Sequence, residues 1–301
     1  MSPGAPLETA PLLIIVSLVV FALLARGALH FFLGVHVAER IGGDHNAALG
    51  IEYGGYFLGV LLVAGSVLEG FPGAGGTAGM PAGTSLPADL SIALQAGAYG
   101  VFGIIALALF GRLGFRLLLR SNIVAGVRAN NPAAGLVAAG GHISTALVIA
   151  GALSGESTGG DFPVAGIFLS IGLAALWGIT YLYRFITRYD DATEITNGNV
   201  AAALSYAGMM VAIGMIVGHA INGDFTDYAT SLRLCGRALL SVIILYPVRQ
   251  FIVQGILLGG GFRVYGGRLD EEISHDGNIG AGAVEAATYI GAAVLALQVG
   301  Y

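Results

Sequence analysis

Over 301 residues, 56% are hydrophobic and only 10% are charged, and the mean hydropathy is strongly positive. A soluble domain of this length needs charge on its surface, so lipid is the expected solvent. The net charge is -5 and the 13 basic residues are all Arg, which leaves no lysine-rich patch and no P-loop lysine, so neither nucleic acid nor nucleotide is an expected partner.

The first 11 residues carry Glu8 and neither Arg nor Lys, so the positive n-region of a cleaved signal peptide is missing. The apolar stretch from Leu12 to Leu33 is long enough to span and reads as the first helix. Spans are predicted near residues 12–35, 47–69, 90–119, 132–153, 164–187, 199–221, 229–258 and 279–299. The Gly, Ala and Pro stretch from Gly70 to Pro87 has no charge and reads as an exposed loop. The expected fold class is all-α, a polytopic transmembrane helical bundle of about 8 spans.

The even-numbered spans each start at an Asn followed by small residues: Asn46-Ala-Ala-Leu-Gly, Asn131-Pro-Ala-Ala-Gly, Asn199-Val-Ala-Ala-Ala and Asn278-Ile-Gly-Ala-Gly. Asn is a good helix N-cap because its side-chain oxygen accepts an orphan backbone N–H, and Pro132 stands where a missing N–H costs nothing. Nine and thirteen residues further on come Gly55 and Gly59, Gly140 and Ser144, Gly208 and Ala212, Ala287 and Gly291. Small residues four apart share a helix face and admit a second backbone, which is how helices associate in lipid. Close helix packing is therefore expected at Gly55, Gly59, Gly140, Gly208 and Gly291.

The odd-numbered spans carry a cationic or titratable residue at corresponding places: His30, Arg116, Arg184 and Arg249. Arg249 stands further from its Asn because the last hairpin holds a Gly-rich, acidic insertion at 259–277. Four hairpins thus form two units, at residues 1–157 and 158–301. Arg40, Arg120, Arg128, Arg188, Arg263 and Arg268 fall in or beside the connections from odd to even spans. Those connections are expected to be cytoplasmic, with both termini outside.

The Asn-x-Ala-Ala units, followed by Gly and then Gly or a small residue, resemble the domain of unknown function 350 family, small bacterial inner-membrane proteins whose usual unit is two hairpins. The likeness covers nearly the whole chain, as two such units in tandem. The last copy departs from the pattern, with Gly280 for the first Ala and Ala287 for the first Gly. The resemblance implies a bacterial inner membrane and brings no activity and no catalytic residue set.

Charge within a span is costly and is usually paired or turned toward a cavity. Glu52 and Glu285 each lie about two turns into their helices. With Arg249 they form a candidate ion or proton site; the alternative reading makes them salt-bridge partners of Arg26, Arg249 or neighbouring polar groups. His30, Arg116, Arg184 and Arg249 are candidate anion or lipid-phosphate contacts, against plain snorkelling of long side chains to the interface. Arg112, Arg116 and Arg120 share one helix face. Arg233 and Arg237 read as anchors facing Asp224 and Asp227, and Pro247 is expected to bend its span beside Arg249.

His142 and His219 raise a bis-histidine haem, but they stand at different depths and read as satisfied histidines. His36 with Glu39, or His45, is a weak metal motif without HExxH or CxxC spacing. Cys235 reads as a small buried side chain. No nucleophile with a placed base is found, so neither an enzyme nor a cofactor nor a metal is expected. The function expected is an ion or small-solute permeation pathway between the repeats. The alternative is a noncatalytic module binding lipid or protein partners in envelope stress, with membrane lipids and a homo-oligomer or membrane protein as partners. A haem or metal protein ranks last.

Overall fold

The computed structural model describes the backbone of residues 19–28, 31, 37–70, 86–119, 123–154, 162–222, 227–263 and 265–299. Every regular element among them is helical: α1 Val19–Ala28, α2 Val37–Gly42, α3 Ala47–Gly70, α4 Leu86–Leu119, α5 Ile123–Arg128, α6 Pro132–Leu153, α7 Phe162–Tyr183, α8 Asp191–Thr196, α9 Val200–Ile221, α10 Tyr228–Leu257, α11 Arg268–Ser274 and α12 Ile279–Gln298. Seven of these, α3, α4, α6, α7, α9, α10 and α12, hold a stretch long and apolar enough to cross a membrane. With α1, which belongs to the first predicted span, they agree with about eight spans. Most of the Gly70–Pro87 stretch lies outside the described residues.

The four even spans are α3, α6, α9 and α12, and each is entered the same way. A helix of six or seven residues (α2, α5, α8 or α11) comes first. The residue just before each cap Asn then takes a positive φ: His45, Asn130, Gly198 and Gly277. That left-handed step lets the Asn N–H reach back to a carbonyl of the short helix, Asn131 to Gly126 at 3.0 Å and Asn278 to Glu272 at 2.8 Å, which closes the helix end. The Asn side chain finally accepts from the first turn of the long helix, from Leu49, Ala133, Ala202 and Ala281 respectively. The sequence reading leaves these short helices as plain connections, because six residues are too few to register as a periodic pattern.

The even helices pack consecutively, α3 on α6, α6 on α9 and α9 on α12, and each of α4, α7 and α10 lies against two neighbours in that row. One register is used three times. A Cβ on Gly55 would fall within 3.0 Å of the Ala139 backbone, one on Gly140 within 3.0 Å of Ala207, and one on Gly208 within 3.0 Å of Ala286. In each pair the residue nine past one cap meets the residue eight past the next. Gly135 against Ala48 and Gly282 against Ala201 repeat a second contact of the same kind. The Asn amides lock the register from the polar end: Asn46 donates to the Val127 carbonyl at 3.0 Å, Asn131 to Ile195 at 2.9 Å and Asn199 to Ile273 at 2.8 Å. Large apolar side chains on the outer flanks, such as Leu182, Leu240, Ile243 and Ile256, are exposed, as a lipid-facing surface requires.

The span holding Pro247 is the irregular one. It is 3-10 over Leu240–Ile244 and π over Arg249–Leu257. Proline lacks an N–H and collides with the carbonyl one turn back, so the ladder tightens before it and widens after it. The wide turns point Arg249, Gln250, Val253 and Gln254 inward.

Candidate functional site

Two buried charge clusters form at separate places along the row. In the first, Glu52 on α3 accepts from Arg112 Nη2 on α4 at 3.1 Å, and His142 Nε2 on α6 stands 3.5 Å from the same carboxylate oxygen. His142 is fully buried, with the rings of Tyr56 and Phe115 set edge-on at 5.3 and 5.6 Å. Gly111 brings α4 close enough for this, because a Cβ there would strike the imidazole. A space of about 10 Å³ beside Glu52 and Arg112 also touches Asn46, Arg40 and Arg128, which is room for about one water.

The second cluster is larger. Arg249, only 1% exposed, donates from Nε to Glu285 on α12, from Nη2 to Asp270 on α11 at 2.5 Å, and from Nη1 to Gln250 at 3.0 Å. Two carboxyls thus share one guanidinium, and among the described residues Glu285 Oε2 and Asp270 Oδ2 have no hydrogen-bond partner. The insertion at 259–277 is what delivers Asp270. Gln250 Nε2 donates to the Arg263 carbonyl at 2.9 Å, and Gln254 takes the Leu269 N–H at 2.7 Å while donating to Gly260. Gly267 starts α11 at φ 134°, where a Cβ would also strike the Gln254 amide, so glycine is required twice over.

Around Arg249 lies a second space of about 10 Å³, touched by Asp191, Ser205, Tyr206, Tyr246 and Tyr289. The Tyr206 hydroxyl is buried without a partner among the described residues. Burial lifts the Asp191 carboxyl to about 7, with Arg184 opposing and Glu285 and Asp190 adding to the rise. Its neighbour Asp190 is held below the usual carboxylate range, first by the Thr193 hydroxyl and also by Arg184, which donates to it at 3.0 Å.

The residues expected at a single ion site are therefore divided. Glu285 and Arg249 pair directly, while Glu52 belongs to the other cluster, with Arg112 as its partner; Arg26 is exposed. Of the four expected anion contacts, Arg249 is committed to carboxyls and Arg184 to Asp190 and the Leu118 carbonyl. His30, the Arg116 side chain, Arg120, His36 and Asp224 lie outside the described residues. Asp227 caps α10 through the Thr230 N–H, and Arg233 and Arg237 are exposed. His219 is exposed whereas His142 is buried. No group of three His, Cys, Asp or Glu side chains is placed for a metal among the described residues, and Cys235 is buried. A Cβ on Gly291 would meet nothing within 4 Å among the described residues. Sequence reasoning missed Asp191, Tyr206 and Asp270. Asp191 and Asp270 each stand eight residues before a cap Asn, Asn199 and Asn278, and that shared offset was the available signal.

Fold and sites together define a multi-pass helical membrane protein built from repeated hairpins, with buried ion pairs inside the bundle. The sequence profile of the Domain of Unknown Function (DUF350) matches the chain twice, at residues 7–153 and 157–299. The chain belongs to that family, with two tandem units. No curated protein and no solved structure matches it.

Proposed function

We propose that this protein moves a small cation, a proton before any other, across a bacterial inner membrane by way of the buried clusters, one in each unit. The observation that carries the reading is the Arg249 cluster. Two carboxyls against one guanidinium, with an oxygen of each left unpartnered among the described residues, favour uptake of one further positive charge in a low-dielectric setting. The clusters sit within the units rather than between them, so the pathway runs beside α10 and beside α4, not along the even-helix row. The excess of arginine on the α2, α5, α8 and α11 side supports that side as the cytoplasmic one, with both termini outside.

The close packing of the row favours a second reading, a noncatalytic module that binds lipid or a protein partner. Flux decides between them. Liposomes holding the purified chain are expected to pass protons, with the rate reduced at least tenfold in Glu285→Gln and less in Glu52→Gln; tenfold corresponds to about 1.4 kcal/mol. No flux of protons, sodium or potassium in the unmodified protein would replace transport with the module.

A further inference from the structure

Asp191 begins α8, on the connection between α7 and α9, and it lines two spaces at once. On one side is an open cleft of about 430 Å³, shared with Leu119, Tyr181, Arg184 and Asp190. On the other is the one-water space beside Arg249 and Tyr206. The residue is 4% exposed, and its side chain makes no hydrogen bond or ion pair among the described residues; the nearby Arg184, Ala192 and Thr193 bond to Asp190 instead. It stands as a thin wall between the solution in the cleft and the buried cluster, with the unpartnered Tyr206 hydroxyl on the inner side.

We propose that Asp191 is the proton-exchange group of the second unit, taking its proton from water in the open cleft beside α8 and presenting it to the inner cavity beside Arg249. This rests on the reading that the unit handles protons. The step is one transfer: a hydronium in the cleft gives a proton to a carboxylate oxygen, leaving water and a neutral carboxyl, and release is the reverse. No other bond changes.

The surroundings suit the role. The titratable groups facing Asp191 are Tyr181, Tyr183, Arg184, Tyr189 and Asp190 from α7 and the segment after it, Tyr206 from α9, Tyr246 and Arg249 from α10, and Glu285 and Tyr289 from α12, with Asp270 of α11 behind Arg249 as its partner. Tyrosine and arginine keep one charge state through neutral pH. Burial first, then Glu285 and Asp190, oppose a negative charge and together outweigh Arg184 and Arg249, which favour it, leaving the group at about 7. A carboxyl balanced there loads and unloads with small changes in pH or in the charge of the Arg249 cluster.

The test is infrared difference spectroscopy of the full chain in lipid, between about pH 5 and about pH 9. A protonated-carboxyl band that titrates near neutrality is expected, absent in Asp191→Asn, shifted but present in Asp191→Glu, and retained in Asp190→Asn with its midpoint moved to lower pH, because a charge that opposes ionisation is gone. A neutral band that survives in Asp191→Asn overturns the inference, as does its absence from the unmodified protein. Should Asp191→Asn fail to fold, Asp191→Glu decides: an unshifted band overturns the assignment. Liposomes without flux, but with the Asp191 band present, would remove the transport reading and leave this site standing.

Discussion

Gly54 and Gly55 are neighbours on one helix, and the structure assigns opposite outcomes to the same substitution at each. Nothing lies within 4 Å of a Cβ built on Gly54, whereas one on Gly55 would stand 2.8 Å from the Ala139 carbonyl oxygen and closer still to that residue's Cα and Cβ. Carbon atoms pack at about 3.5–4.0 Å, so Gly55→Ala must push α3 and α6 apart by about 1 Å along their whole contact. Overpacking of this kind costs about 1–3 kcal/mol, at the upper end here because backbone rather than a side-chain tip must yield. Exchanging glycine for alanine in a helix returns about 1 kcal/mol. Gly55→Ala should lose about 2 kcal/mol, and Gly54→Ala should gain up to about 1 kcal/mol. Thermal unfolding in one detergent, followed by circular dichroism, separates them by several degrees. Gly55→Ala melting at or above Gly54→Ala would refute the register that the row of even helices depends on.

Arg249→Met strands the carboxyls of Glu285 and Asp270, and loss of one partner in a buried pair costs about 3–5 kcal/mol. Adding Glu285→Leu and Asp270→Leu should restore most of that loss, and a triple variant no more stable than the single would contradict the ion-pair account. The pH dependence of stability follows from Asp191, whose carboxyl rises from 3.8 to about 7 on folding. Between those values the unfolded chain has released the proton while the folded chain still holds it, so stability falls as pH rises through that window and is level above it. The difference amounts to about 4 kcal/mol as an upper bound. Melting curves of Asp191→Asn should lack this decline, and an unchanged decline would place the titration elsewhere.

Sequence alone determined the membrane class, the hairpin repeat and the entry point of each even helix. These depend on local physics: apolar length against bilayer thickness, and an Asn side chain that can satisfy its own helix end. The tandem units were legible for the same reason, since Asn46, Asn131, Asn199 and Asn278 carry their small residues at fixed offsets. The row of helices was legible only in part. Gly55 and Gly208 sit where small residues were expected to touch a neighbour, yet Gly291, the counterpart of Gly59 thirteen residues past its cap, meets nothing within 4 Å among the described residues, because no further even helix among them packs on that side of α12.

Charge partnerships were decided by the tertiary structure. Glu52 and Glu285 look equivalent along the chain, but one finds Arg112 and His142 while the other finds Arg249 and Asp270. Sequence distance carries no information about which odd helix lies beside which carboxylate. Asp270 reaches Arg249 only because a proline-displaced π segment turns Arg249, Gln250 and Gln254 inward and a glycine-rich insertion folds back onto them. Asp191 is an ordinary acidic residue in the sequence; burial between two spaces, set by α7, α9 and α10 together, is what gives it a titration near neutrality.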